Sequence, residues 1–587
     1  MYLLANALKV AKRWVPMFRT HLPAIVLAIV IGIATGAPQL FVVHQMGPAY
    51  KGVFPITSDD DRYYEARSQE VRDGFPHLGN PYILELRNEQ GVSFWMPDAA
   101  TSYSGEFFGL DVQHTFVLFD FIIPPILFLL TYLILFSITG SAIIALTSSA
   151  FFHLGFFLDT FSRSPSPQFN FLFVELAVFS AIRLVQGARY SVYCLALSLG
   201  SLFYVYPYFW TFAFGMFGTF FLATLLRKDL RPLSEPLFYA LSGGVLLGSP
   251  VLFQMLKSGQ SEAYRETILR LGMIFTHTPT GLGILSLCGS ALLTYGFAAF
   301  FYPSFRNDRL FWFFVSTLLG GILASNNQII SGQNLEFSSH YFLPAAYITL
   351  LAGSFLIFTI LSEKKNTAWA IPTRLGIVGI LMVVILIKCA TSVERRIILS
   401  PEKLSEQRYG PIMSWLRENT APESVVLAAE DTSYLIAAYT PDRIFYSRNA
   451  NLHIMTDEEA WTRFYLLYYG AKYDDDFFTN HVGQIWGAHY FDEYGHEMQL
   501  NKFRKLIGLP LVPAEVIPQA AKDTLRKFAA SLSEKNPNLI LGNRKIDYAI
   551  SEPGFIIPGW MHDSYPTMHS VYVNSAFTIF ALGPRKQ

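Results

Sequence analysis

Three consecutive carboxylates, Asp59, Asp60 and Asp61, stand in the stretch 55–81, followed at once by Arg62, Tyr63 and Tyr64 and then by Arg67 and Gly74. Adjacent carboxylates repel one another unless a cation, a substrate proton or solvent separates them. Such a group can take the proton of an attacking hydroxyl, or hold a divalent cation (Mg or Mn). The competing reading is a solvated turn, because Ser58 and the Asp side chains are good caps for a helix over 63–71.

The elements that must position these acids are set by composition. Of 587 residues, 52% are hydrophobic and only 15% charged, more apolar material than a soluble core needs, and the chain reads as a membrane protein. Apolar runs able to cross about 30 Å of hydrocarbon recur at 22–43, 115–137, 138–158, 169–182, 190–208, 209–226, 237–256, 281–302, 310–325, 340–361 and 375–391, about eleven spans. Lys9, Lys12, Arg13 and Arg19 precede the first run, which places the N-terminus in the cytoplasm. Alternation then makes 183–189, 227–231, 306–309 and 364–374 cytoplasmic, each of them basic. The first loop, 44–113, and everything after residue 392 fall on the outer side. The expected domains are a membrane unit, 1–392, and an outward soluble unit, 393–587.

Ionisable residues within the spans gather towards the outer ends: Asp120, Glu175, His153 and Lys388, with His340 opening the tenth run. Charge at membrane depth is costly and usually faces a water-filled or substrate-lined cavity, so a site is expected at the outer level. For Lys388 snorkelling to the interface suffices.

After residue 400 the composition becomes that of a soluble α/β unit: helices over 402–419 and 520–532, a helix through 469 started by the Thr456/Glu459 capping box, and strands at 425–429, 443–446, 546–550 and 576–582. Net charge is zero, which gives no footprint for nucleic acid. Cys194, Cys288 and Cys389 sit in apolar runs and build neither a disulfide framework nor a zinc site. There is no phosphate-binding glycine loop, His-Glu-x-x-His or nucleophile elbow. His489, Asp492, Glu493, His496 and Glu497 have the types of a metal site but read as a solvated surface.

This layout of basic N-terminus, one span, acidic outward loop, many spans and outward α/β unit resembles the GT-C superfamily of membrane glycosyltransferases. Asp61-Arg62-Tyr63-Tyr64 with Arg67 and Gly74 is similar to the first-loop pattern of the oligosaccharyltransferase catalytic subunit. The run from Trp415 through Val426, with Ile436 and Arg443, resembles the start of that subunit's soluble domain. Where the subunit carries Trp-Trp-Asp this chain has Ala429-Glu430-Asp431-Thr432, so peptide N-glycosylation is not expected. Its second outward loop, Ser162-Arg163-Ser164, lacks the acidic pair that would bind metal, leaving Asp159 as the substitute ligand beside Asp61.

The resemblance implies transfer of a sugar from a polyprenyl phosphate to a glycan or lipid acceptor on the outer face of a bacterial or archaeal cytoplasmic membrane. Such transfer needs a carboxylate base and cations for the departing phosphate. Asp61, with Asp60, is the candidate base or cation ligand. Arg163, Arg265, Arg270 and His340 are candidate phosphate contacts, with 262–270 as an interfacial helix gating a lipid tail. Asp59, Asp120, Asp159, Glu175 and Glu336 are candidate supporting or acceptor-side groups. The rival readings are a lipid or polysaccharide transporter, with its polar groups at mid-membrane, and a non-catalytic scaffold in glycan assembly.

Overall fold

The computed structural model describes residues 2–56, 58, 60–89, 91, 94–279, 281–334, 340–363 and 370–585. Two of the acids singled out above, Asp59 and Glu336, lie outside them. The chain is an α-helical integral membrane protein with a small C-terminal α/β unit. Among the described residues, 7 helices are long and apolar enough to cross a bilayer: Arg19–Ala49, Val112–Thr139, Gln168–Val185, Pro207–Leu226, Arg231–Ser258, Leu282–Phe301 and Phe342–Ser362. Shorter apolar helices, Ala142–Phe156, Ser191–Val205 and Arg309–Ala324, fill three of the other expected runs. Ala370–Ile397 is the last helix before the C-terminal unit. Their shared core is aliphatic and aromatic, with Leu127, Phe128, Phe171, Leu199, Phe217 and Leu351 fully enclosed.

Close approach rather than side-chain size packs some of these helices. Gly320 faces Gly215, where an added Cβ would lie 2.5 Å from the Gly215 carbonyl oxygen. Small residues that let helix backbones touch are the usual means of association where lipid removes the hydrophobic driving force.

The C-terminal unit carries a five-stranded sheet: β1 Val425–Leu427, β2 Arg443–Ile444, β3 Tyr548–Ser551, β4 His569–Val573 and β5 Thr578–Ala581, in the order β2-β1-β3-β5-β4. β1 runs parallel to β2 and β3, with Val426 opposite Ile444 and Tyr548, while β5 is antiparallel to β3 and β4. Helices Gly410–Asn419, Asp457–Leu467 and Gln519–Ser533 fall where the sequence places them, and Thr456 caps its helix by accepting from the Glu459 amide at 3.2 Å. Strand β4, largely exposed, carries little apolar alternation and was not expected.

The hydrophobic core of this unit does not stop at residue 393. Val53, Ala66, Tyr82 and Ile83 of the first loop are buried in it beside Leu427, Ile436 and Ile444. Arg62 joins the two regions by donating to the Phe54 carbonyl at 2.9 Å, Glu65 at 2.8 Å and the Tyr439 hydroxyl at 2.9 Å. Arg443 extends the tie to Glu70 at 2.6 Å and to the Pro81 carbonyl at 2.9 Å.

Candidate active site

The first-loop helix Asp60–Arg72 begins with the acids. Negative side chains belong there, at the positive end of the helix dipole. Asp61 turns back to accept from the Ser58 backbone N–H at 3.0 Å and is only 6% exposed. Asp60, one residue earlier, points the other way: its side chain is 66% exposed and ion-paired with Arg163 of the second loop. Of the two acids expected to act, Asp60 lines the larger cavity, whereas Asp61 is bonded to the Ser58 backbone N–H and lines neither cavity.

Arg163 stands where two cavities meet. The larger, about 700 Å³, is lined by Asp60, Arg163, His340 and a set of aromatic side chains including Tyr64, Tyr206, Tyr208 and Trp210. The C-terminal unit closes it with Arg448, Asn449 and Phe491. The smaller, about 510 Å³, is bounded by Gln39 and Val42 of the first span, Asp159, Arg163, Arg395, Arg396 and Lys403. Thr160 and Arg163 line both.

Among the described residues lining it, the smaller cavity is cationic by four side chains to one. Arg395 pairs with Asp159 at 2.8 Å, and Ser392 donates to the same carboxylate. Arg396 donates to the backbone carbonyls of Ala34 at 3.0 Å and Thr35 at 2.5 Å, and feels the charges of Asp120, Asp159 and Asp61. The Nε atoms of Arg163 and Arg396 are buried with no hydrogen-bond partner among the described residues. Buried donors without acceptors are costly, and an anion's oxygens would satisfy them.

A divalent cation does not fit this donor set. Asp60 is neutralised by Arg163 and Asp159 by Arg395. Among the described residues no three His, Cys, Asp or Glu side chains come together. Asp61 and Asp159, expected as ligands for a divalent cation, belong to no group of three or more such side chains among the described residues, and Asp159 is paired with Arg395 instead.

The remaining expected residues divide. His340 lines the larger cavity and shares a 2.7 Å hydrogen bond between its Nδ1 and the Tyr206 hydroxyl. Arg270, expected as a phosphate contact, lines neither cavity. It is 2% exposed, bonded to the carbonyls of Asn451 at 3.1 Å and Met455 at 2.5 Å and ion-paired with Asp457. Helix Glu262–Arg270 is accordingly clamped to the C-terminal unit rather than free as a lipid gate, and Glu266 adds a 2.8 Å bond from the Asp457 amide. Arg265 is exposed, turns back to the Gly259 carbonyl at 3.2 Å and lines neither cavity.

Asp120 and Glu175 lie in the helix bundle and line neither cavity. Asp120 accepts from Gln168 at 2.7 Å, and Glu175 from Thr131 at 2.8 Å, with His153 bonded to the same hydroxyl at 3.0 Å. Arg67 of the first-loop motif is likewise structural: fully buried, it grips Asp98 through two nitrogens at 3.1 and 2.7 Å. Burial pushes the neighbouring Glu65 carboxyl up to about 7, although Arg62 beside it pulls the other way.

Sequence reasoning missed Arg395, Arg396, Lys403 and Arg448. For the first two a signal existed: an Arg-Arg pair at the end of the last apolar run that alternation places outside, against the positive-inside tendency. Arg448 sits in a polar stretch with no pattern to mark it.

No protein-family model matches the chain, and no curated protein matches it in sequence. Among solved structures it is similar to the Archaeoglobus fulgidus oligosaccharyltransferase in the apo form, with 12% identity and a TM-score of 0.45 over 91% of this chain and 69% of that one. It is also similar to the arabinofuranosyltransferase AftD from Mycobacteria, with 12% identity and a TM-score of 0.48 over 96% and 40%. A third is ArnT from Cupriavidus metallidurans bound to undecaprenyl phosphate, with 12% identity and a TM-score of 0.46 over 98% and 100%.

Proposed function

We propose that the protein is a membrane glycosyltransferase that moves a sugar from a polyprenyl phosphate to a glycan or lipid acceptor, at the end of the helix bundle that carries the C-terminal unit and on the side away from the cytoplasm. The observation that carries this reading is the meeting of a cationic cavity and an aromatic one at the Asp60–Arg163 pair. Arg163, Arg395, Arg396 and Lys403 suit a phosphate, the guanidinium groups offering forked donors to its oxygens. The aromatic walls suit a sugar, whose polarised C–H faces lie well on the electron-rich faces of tyrosine and tryptophan.

The donor phosphate then sits in the smaller cavity with its anomeric carbon at the junction, and the acceptor hydroxyl enters through the larger one. Asp60 takes the hydroxyl proton as the acceptor oxygen bonds to the anomeric carbon. The carbon–oxygen bond to phosphate breaks with its electron pair on the phosphate, where Arg163 and Arg396 stabilise the charge. Attack opposite the leaving phosphate inverts the anomeric centre. No divalent cation is required in this scheme.

The test is a panel of polyprenyl-phosphate sugars with the purified full-length protein in lipid. Transfer by the wild type and its loss in Asp60→Asn with an unchanged melting temperature support the reading. Transfer by Asp60→Asn at the wild-type rate removes Asp60 from the chemistry. Failure of the wild type to bind any polyprenyl phosphate refutes the enzyme reading itself.

A further inference from the structure

We infer that the larger cavity takes an acceptor bearing an anionic group, phosphate or carboxylate, and that Arg448 of the C-terminal unit holds it. This rests on the glycosyltransferase reading and adds the chemical class of the second substrate.

Arg448 is fixed at its backbone and free at its tip. Its N–H donates to Glu430 Oε1 at 2.6 Å, and the other Glu430 oxygen accepts from Gln484 at 3.0 Å. The stem runs over Gly483, where an added Cβ would stand 3.0 Å from the Arg448 Cδ. The glycine therefore leaves a channel that directs the side chain. The side chain is exposed and lines the larger cavity, and its guanidinium makes no hydrogen bond or ion pair with a described residue.

Charge around it is unbalanced. Among the described residues lining the larger cavity, Asp60 is the one carboxylate, and Arg163 already pairs with it. Glu430, the carboxylate that bears electrostatically on Arg448, is engaged by the Arg448 and Gln484 N–H groups and does not line the cavity. A solvent-facing guanidinium on an aromatic-walled pocket, anchored from behind, is a receptor for a forked anion. A neutral glycan would leave that charge desolvated without a partner, which costs binding energy. The donor phosphate also offers an anion, but Arg395, Arg396 and Lys403 already provide for it in the other cavity.

The experiment uses the full-length protein in detergent and calorimetric titration with glucose, glucuronate, glucose 1-phosphate and undecaprenyl phosphate. The expected result is that glucuronate and glucose 1-phosphate bind about tenfold or more tightly than glucose, as a charge-assisted forked contact gives. Arg448→Gln should erase that preference and leave undecaprenyl phosphate affinity within about twofold. Gly483→Leu, which blocks the channel while keeping the charge, should lower the preference too.

Equal or absent binding of the charged sugars overturns the inference, as does a preference that survives Arg448→Gln. A tenfold drop in undecaprenyl phosphate affinity in Arg448→Gln also overturns it, assigning Arg448 to the donor. Loss of undecaprenyl phosphate binding in the wild type is a separate result and falls on the glycosyltransferase reading.

Discussion

Two arginine–carboxylate pairs that involve the first loop, Arg67–Asp98 and Asp60–Arg163, are alike in residue type and differ in kind. Arg67 and Asp98 are both fully enclosed and bonded twice to each other, with Arg67 adding a 2.6 Å bond to the Phe94 carbonyl. Asp60 and Arg163 are 66% and 31% exposed at the side chain, and Arg163 keeps a buried nitrogen without a partner. A buried pair whose donors and acceptors are all used holds the backbone and has nothing left for a ligand. A pair open to a cavity, with unmet donors, can exchange its partner for substrate. Burial and unspent hydrogen-bonding capacity, rather than residue type, separate the scaffold from the site.

That contrast breaks most visibly by mutation at Asp60. Asp60→Asn should lower transfer by about 10²- to 10⁴-fold, the range for a lost general base, with a thermal melt indistinguishable from wild type. Asp98→Ala should do the reverse. It strands a fully buried guanidinium and should destabilise the protein by about 3–5 kcal/mol, read as a large loss of folded protein after extraction. If Asp98→Ala melts like wild type and merely slows transfer, the division between the two pairs is false.

Smaller effects sharpen it. Arg396→Gln should weaken polyprenyl phosphate binding about tenfold or more, as loss of a charged hydrogen-bond donor does, while acceptor affinity stays the same. Arg265→Ala, at an exposed arginine that lines neither cavity, should change stability and rate by less than about 0.5 kcal/mol.

A pH dependence belongs to the buried class. Burial pushes the Asp442 carboxyl up to about 7, against the pull of the two Thr420 hydrogen bonds at 2.9 and 2.8 Å. Its folded value therefore lies above its unfolded value near 3.9. The folded state holds the proton more tightly, so this contribution is complete below about pH 4 and is lost as pH rises through 7. Melts at pH 5 and pH 8 should show a larger drop in wild type than in Asp442→Asn; equal drops would exclude Asp442 as the source.

Much of the fold was legible because the membrane simplifies it. Runs of about 20 apolar residues can only be helices, and each expected run coincides with a helix. In the C-terminal unit β1 and β2 could be read from Val425–Leu427 and Arg443–Ile444, whereas β4 could not, since its residues are mostly exposed. The site was half legible. Arg163, Asp60 and His340 were named from charge and position, and they do line one cavity. The pairing of Arg270 with Asp457 could not be read, because an arginine on an amphipathic helix looks the same whether its partner is phosphate or a distant carboxylate. Which of Asp60 and Asp61 lines the cavity turns on one residue's rotation at the helix start. Arg395 and Arg396 join Arg163 only through the packing of the first and last helices, a relation no local pattern carries.

The sharing of Val53, Ala66, Tyr82 and Ile83 with a core made mainly by residues beyond 408 has a consequence for biogenesis. During synthesis the segment holding Asp60 emerges early but lacks most of its apolar partners until more than 300 further residues have been added. Neither cavity is complete before residue 403, and the larger one needs residues up to 491, although Arg163 is available to pair with Asp60 much earlier. The larger cavity is thus a late product of synthesis, assembled from segments that leave the ribosome hundreds of residues apart.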